Sequence, residues 1–223
     1  MVVLAAPSGG GKTTITREIR TRRPALFGYS VSATTRKARP AERDGEAYHF
    51  LTREEFLRRR RAGEFLESAE YAGKLYGTLR GEVERVLKSG KHVLLDVDVQ
   101  GARQVRQVYP SPESLIVFVI PPTPRVLIER LRDRRTESEA QLRKRIEIAT
   151  REVEAARQEL ATVYDRVLVN DDLDTAVNEV IDLVQRPDVA RPAVEDMAST
   201  LTSFVQELER EAEQLRHSTR RSR

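Results

Sequence analysis

Near the start of the chain, the segment Ala6-Pro7-Ser8-Gly9-Gly10-Gly11-Lys12-Thr13 limits the fold more than any other feature. It follows a continuous apolar run, Val2 to Ala5, of the kind expected of a strand buried on both faces. It precedes a predicted helix from about Thr13 to Thr21. Set against the pattern G-x-x-x-x-G-K-[ST], Gly11-Lys12-Thr13 match, and Ala6 stands at the first glycine. Successive glycines let backbone N–H groups converge on phosphate oxygens without side chains in the way. The helix N-terminus adds the positive end of its dipole. In a loop so placed, Ala6 to Thr14 cradle the phosphates of a nucleoside triphosphate. Lys12 reaches the β- and γ-phosphates, and the Thr13 hydroxyl ligates Mg²⁺. The loop by itself marks phosphate chemistry and leaves the acceptor open.

The rest of the chain agrees with a strand–loop–helix start. Tyr29 to Ser32 reads as a short strand. His92 to Val97 and Leu115 to Ile120 are apolar runs of the buried type, and Val167 to Val169 is a further strand. Helices are predicted over Gly101 to Val108, from Pro124 after a Thr123 cap, from Ser138 to about Val163, and over Leu173 to Val184. Alternation of this kind implies an α/β fold, a parallel sheet flanked by helices. Ala33 to Gly90 has a different texture and reads as a small mixed α+β insert, with strand-like pieces at Ala47 to Leu51 and Phe65 to Tyr71. Thr52 and Glu55 form a capping box for a helix over Arg53 to Ala62. Arg132 to Glu137 is too basic to pack and is expected to be a loop. Residues 187–223 stand apart: Pro187 and Pro192 mark a linker. Val194, Met197, Leu201, Phe204 and Leu208, with Leu215 beyond, then form the seam of an amphipathic helix with a frayed basic end. That seam either docks on the core or pairs with a second subunit.

Composition narrows the partners. The chain has 223 residues and a net charge of +4, too small an excess to argue for nucleic acid. It has no cysteine, which excludes disulfides and thiolate metal sites. The N-terminal apolar run is too short for a signal peptide, and no stretch is long enough to span a bilayer. A soluble, cytoplasmic protein without membrane partners is expected. The Arg58 to Arg61 run lies late in a short helix and reads as a solvated face. His49, His92 and His217 read as structural or exposed.

The acceptor is written between residues 30 and 101. Arg36 and Arg39, three apart and beside the hydroxyls of Ser30 to Thr35, suit the oxygens of a phosphate monoester. The segments S-V-S-A-T-T-R-x-x-R-P-x-E (from Ser30), D-G-x-x-Y-x-F (Asp44), E-F-L-E (Glu64), L-Y-G-T (Leu75), D-V-D-V-Q-G-A (Asp96) and V-N-D-D-L (Val169) follow in order. In these motifs residues 1 to about 186 resemble the guanylate kinases. The resemblance implies a P-loop NTPase-type core over 1–186, a GMP-binding insert over about 33–90 and an arginine-rich lid over about 132–150. It implies ATP and GMP as substrates with Mg²⁺ as cofactor. Ser32, Arg36, Arg39, Tyr48 and Tyr76 would surround the GMP phosphate. Glu67, Thr78 and Asp98 would read guanine, with Glu42 supporting that pocket, and Asp96 would lie near Mg²⁺. Arg134 and Arg145, with Arg130 beside them, would act on the transferring phosphoryl group with Lys12 and Arg39. Asn170 would contact the adenine end. The chain departs from the family pattern at Ala6, Ala41, Ser68, Leu75 and Arg135.

Two other readings compete. A guanylate-kinase-like interaction module that binds phosphorylated peptides lacks a working phosphate loop, which this chain keeps. A kinase for a ribose phosphate needs no guanine-reading carboxylate, so Glu67 and Thr78 argue against it. The chemistry itself asks for no general base, because a phosphate acceptor with a second pKa of about 6 is already ionised at neutral pH.

Overall fold

The structure, a computed structural model, describes residues 1–71, 73–132, 139–186 and 193–221, with 215–221 by backbone alone. In chain order the elements begin with β1 (Val2–Ala5), α1 (Lys12–Arg22), β2 (Phe27–Tyr29), β3 (Ser32–Thr34), β4 (His49–Phe50) and α2 (Arg53–Arg61). Next come β5 (Phe65–Tyr71), β6 (Lys74–Leu79), α3 (Arg80–Lys88), β7 (His92–Val97), α4 (Val99–Val108) and β8 (Leu115–Ile120). The last are α5 (Pro124–Arg132), α6 (Glu139–Gln158), β9 (Arg166–Val169), α7 (Leu173–Gln185) and α8 (Val194–Arg221). A five-stranded sheet runs β2-β7-β1-β8-β9, and a second sheet runs β4-β3-β6-β5. The β2–β7 and β8–β9 pairs are parallel, as the βα alternation requires. The expected α/β class, a parallel sheet flanked by helices, is the class observed.

By packing, the chain forms two compact units, Met1–Leu4 with Thr16–Ile116 and Ala5–Ile15 with Val117–Arg223. In the first, Val93, Leu94 and Leu95 of β7 and Ala102 and Val105 of α4 are buried. A separate small core lies under the second sheet, where Phe56 and Phe65 stack at 4.3 Å beside Ala33 and Leu75. Leu75, one of the departures from the family pattern, is therefore a core residue. In the second unit the continuous apolar run of β8 buries Val117 to Ile120, with Leu127 and Leu131 of α5 and Ile146, Ala149 and Val153 of α6.

Several boundaries differ from expectation for local reasons. Tyr29 to Ser32 is not one strand: β2 ends at Tyr29 against β7, and β3 begins at Ser32 against β6. Helix α4 starts at Val99, ahead of the expected Gly101, because the Asp98 carboxylate caps it by accepting the Gly101 N–H at 2.8 Å. Helix α6 stops at Gln158, short of Val163, where Val163 N–H turns back to Glu159 O. The Thr52 cap is present, its Oγ1 accepting the Glu55 N–H at 3.1 Å, and Thr123 Oγ1 accepts from Val126 N–H at 3.3 Å. Arg58 and Arg59 of α2 both pair with Glu55, as a solvated face should.

The tail helix α8 packs against α5 and α6 of its own unit and buries Met197, Leu201, Phe204, Val205 and Leu208. Val194, placed in that seam from the sequence, is 40% exposed. The helix runs on to Arg221, past the point where fraying was expected. The Ser138 cap, the basic loop from Asp133 to Glu137, the 187–192 linker and the side chains of Leu215 and His217 lie outside the described residues. Among the described residues no helix is long and apolar enough to cross a membrane.

Candidate active site

The phosphate loop belongs to the second unit, and everything described around it comes from that unit. β1 ends at Ala5 and α1 begins at Lys12, so Ala6 to Gly11 is the connection. Gly10 N–H donates to Pro7 O at 2.9 Å, and Thr14 N–H to Gly11 O at 3.1 Å, which starts the helix. Gly11 has φ 96°, a left-handed conformation that favours glycine. A Cβ there would also collide with the Asn170 amide and lie 3.4 Å from Arg130 Nη1. Asn170 is buried, and its Nδ2 donates to Gly10 O at 3.3 Å. Its side chain is thus engaged with the loop's own backbone. Lys12 is half-buried, while Thr13 and Thr14 are exposed at the open end of the first turn.

Helix α6 reaches the same loop at Ser8 from two turns. Arg145 Nη2 donates to Ser8 Oγ at 3.1 Å, and its Nη1 to Leu131 O at 2.9 Å. Glu152, one heptad further along, accepts the Ser8 N–H at 3.2 Å. Positions seven apart share a helix face. That relation to Arg145 was the available signal for Glu152, which sequence reasoning missed. Arg134 lies outside the described residues.

The acceptor residues belong to the first unit and form two groups. In the first group Arg36 is held by Glu42 through a forked pair, Nη1 to Oε2 at 2.9 Å and Nη2 to Oε1 at 2.8 Å. Arg39 N–H also donates to Glu42 Oε2 at 2.8 Å. The Arg36 guanidinium, first among its partners, holds the Glu42 carboxyl below the usual carboxylate range. Glu42, which the resemblance gives a supporting place at the guanine pocket, bonds Arg36. The Arg36 guanidinium lies over the Tyr48 ring at 5.4 Å, and Tyr48 meets Tyr76 edge-on at 6.1 Å. Arg39 is exposed; its backbone bonds Glu42 and its charge adds to the lowering of that carboxyl.

The second group is a row across three strands. Ser32 of β3 pairs with Thr78 of β6, and Thr78 with Glu67 of β5. Directly opposed residues share a face of the sheet, so the three side chains stand side by side. Thr78 Oγ1 donates to Glu67 Oε1 at 2.6 Å. The register shifts between Phe65 and Glu67, a bulge of the kind that re-aims the side chain after it. Gly101 then makes room: a Cβ there would lie 2.7 Å from Glu67 Oε2. Glu67 is 6% exposed. Burial pushes its carboxyl from 4.5 up to about 7, and the Asp98 charge adds to the rise while the Thr78 hydrogen bond opposes it. Asp98 is half-buried, one of its oxygens capping α4. Asp96, also half-buried, stands near the carboxyl end of β7.

Among the described residues no group of three or more His, Asp or Glu converges as a metal site. Mg²⁺ fits such a setting, since it is usually held by one or two protein oxygens, substrate phosphates and water. Thr13 and Asp96 are donors of that hard-oxygen type.

A glycine loop between a buried strand and a helix, on a parallel sheet, defines a P-loop NTPase-type fold. The family model described as guanylate kinase matches residues 1–187. A guanylate kinase from Trichormus variabilis is 43% identical over 180 residues, covering 81% of this chain and 86% of that protein. One from Carboxydothermus hydrogenoformans is 44% identical over 182 residues, covering 81% and 84%. The crystal structure of guanylate kinase from Anaplasma phagocytophilum superposes with a TM-score of 0.66 at 29% identity, over 85% of this chain and 86% of that one. The chain belongs to the guanylate kinase family.

Proposed function

We propose that the chain moves the γ-phosphate of ATP onto GMP, giving ADP and GDP, with the phosphate loop holding the donor and the second sheet holding the acceptor. The observation that carries this reading is the buried Glu67 carboxylate in line with Thr78 and Ser32. Guanine presents N1–H and N2–H side by side, two donors for one carboxylate. Adenine presents a lone pair at N1 and meets the same group with repulsion. Buried polar mismatch of this kind can discriminate by factors on the order of 10⁴.

In this scheme Ser32, Arg36, Arg39, Tyr48 and Tyr76 take the GMP phosphate, with Glu42 fixing the Arg36 fork. Glu67, Thr78 and Asp98 take the base. Lys12 and the loop N–H groups of Ala6 to Thr14 hold the ATP phosphates. Arg145, Arg130 and Arg134 neutralise charge on the transferring group, and Asn170 serves the adenine end. Arg145 then exchanges its present bonds to Ser8 and Leu131 for phosphate oxygens. Mg²⁺, for which Thr13 and Asp96 are each a candidate oxygen donor, would supply charge neutralisation on the ATP phosphates. Proton abstraction is unnecessary, because the acceptor oxygen is already ionised. The difficulty is bringing two polyanions together in line, and the cationic side chains answer it. The same reading places the protein in the cytoplasm, where both nucleotides occur.

The test is a coupled assay with ATP, Mg²⁺ and GMP, AMP, CMP or UMP. GMP-dependent ADP release, with the other three at least about a hundredfold slower in kcat/KM, is the expected result. Folded protein that releases no ADP with GMP overturns the enzyme reading and favours the interaction module.

A further inference from the structure

The residue that reads the base stands on an edge. β5 is the last strand of the four-stranded sheet, so its outer backbone groups have no ladder partner among the described residues. At Ser68, immediately after Glu67, a side chain supplies one. Ser68 N–H donates to Gln104 Oε1 at 3.0 Å, and Gln104 Nε2 donates to Ser68 O at 3.0 Å. The same Nε2 reaches Gln100 O, one turn back on α4, at 3.3 Å. A primary amide offers a donor and an acceptor side by side, as a neighbouring strand does. Gln104 also lies one turn after Gly101, against which Glu67 Oε2 rests. Helix α4 therefore grips two successive residues of β5, one by a side chain seated in a gap and one by its backbone.

The grip falls where the strand most needs it. The bulge before Glu67 breaks the regular ladder, so the carboxylate depends on its neighbours, Thr78 among them, for its orientation. A carboxylate that must meet two parallel N–H groups tolerates little rotation. Resting on the reading of Glu67 as the guanine-binding group, we infer that Gln104 is a positioning residue for base selection, acting through the Ser68 backbone to hold the Glu67 carboxylate in register with guanine N1–H and N2–H.

The test is a double-mutant cycle on the full chain, read with GMP and with IMP, whose base lacks the 2-amino group. Gln104→Leu keeps the bulk and removes both bonds. It should raise KM for GMP about tenfold and leave KM for ATP within about twofold. The preference for GMP over IMP should shrink by about threefold or more, since only the two-point contact depends on carboxylate orientation. In a Glu67→Ala background the same substitution should change GMP affinity by less than about twofold. Gln104→Met serves if the leucine variant does not fold, and calorimetric GMP binding serves where turnover is lost. Unchanged GMP affinity in a folded variant overturns the inference. So does an equal loss for GMP and IMP, or an effect of the same size without Glu67. Failure of the underlying reading looks different: Glu67→Ala alone then leaves the GMP-to-IMP ratio of the parent, and both ideas fall together.

Discussion

The buried carboxylate makes GMP binding depend on pH in a way that can be worked out in advance. Burial holds the Glu67 carboxyl near pKa 7 in the empty protein. Below that value the group carries a proton and cannot accept from both guanine N–H groups. Binding that needs the ionised form weakens by the factor 1 + 10^(pKa − pH), which is about 1.1 at pH 8, about 11 at pH 6 and about 100 at pH 5. The phosphate of GMP also takes up a proton at about pH 6, which weakens its contacts with arginine. Glu67→Gln separates the two effects, because it keeps the phosphate titration and removes the carboxylate one. Calorimetric Kd values for GMP should therefore rise more steeply from pH 8 to 5 for the parent than for the variant. The difference should approach one decade per pH unit below about pH 6. Parallel curves would refute the reasoning.

The same group has a stability signature of opposite sense. Its folded pKa lies above its unfolded one, so its contribution to stability is fully present below 4.5 and is lost as pH rises through about 7. At about 1.36 kcal/mol per unit, ionisation in the empty site costs up to about 3 kcal/mol. Glu67→Gln should thus stabilise the empty protein against urea at pH 8, and by much less at pH 5. A variant that is less stable than the parent at both pH values would contradict this.

Other expectations follow from the same geometry. Lys12→Ala should nearly abolish transfer and leave calorimetric GMP binding close to the parent; an equally severe loss of GMP affinity would refute its assignment to ATP. Gly11→Ala forces a side chain into a left-handed position against the Asn170 amide, so KM for ATP should rise at least about tenfold with GMP binding retained. Phe204→Ala removes a buried ring from the α8 seam and should destabilise by about 3 kcal/mol in urea unfolding, with kcat of the folded protein within about tenfold. A change below about 0.5 kcal/mol would show that α8 does not depend on that contact.

Some of the fold was legible because its signals are local. The buried runs of β1, β7 and β8 stand out as unbroken apolar segments, and Thr52 and Thr123 announce their helices. Elements without punctuation were harder to see. β6 runs directly into α3, and Leu79 at that junction makes no side-chain capping bond. Without a turn residue or a cap, the sequence shows neither a strand end nor a helix start. The change of sheet between Tyr29 and Ser32 was hidden for a related reason, since a strand pattern does not record which partner each residue pairs with.

The two halves of the candidate site were legible to different degrees, and the difference follows from what each is made of. The donor half is built from backbone: glycines, a helix N-terminus and N–H groups. Its signature is the absence of side chains, which a short pattern detects, and Ala6 at the first glycine is buried without disturbing it. What braces that backbone is distant in sequence. Glu152 meets Ser8 across 144 residues and Asn170 meets Gly10 across 160, so nothing in the sequence of the loop itself reports these contacts. The acceptor half is built from side chains, and there residue identity carries the message, as Glu67 and Thr78 do. Identity did not reveal partners, however. Glu42 turns to Arg36 while Glu67 turns to Thr78, and both are glutamates beside plausible guanine contacts. The separation is electrostatic. Glu42 is half-exposed and lowered by an arginine, and Glu67 is buried and raised, so only Glu67 gains strongly from two new donors. A guanine base that supplies those donors relieves the burial cost that the empty pocket carries. On the proposed function, preference for guanine and the raised Glu67 pKa are two consequences of burying one carboxylate.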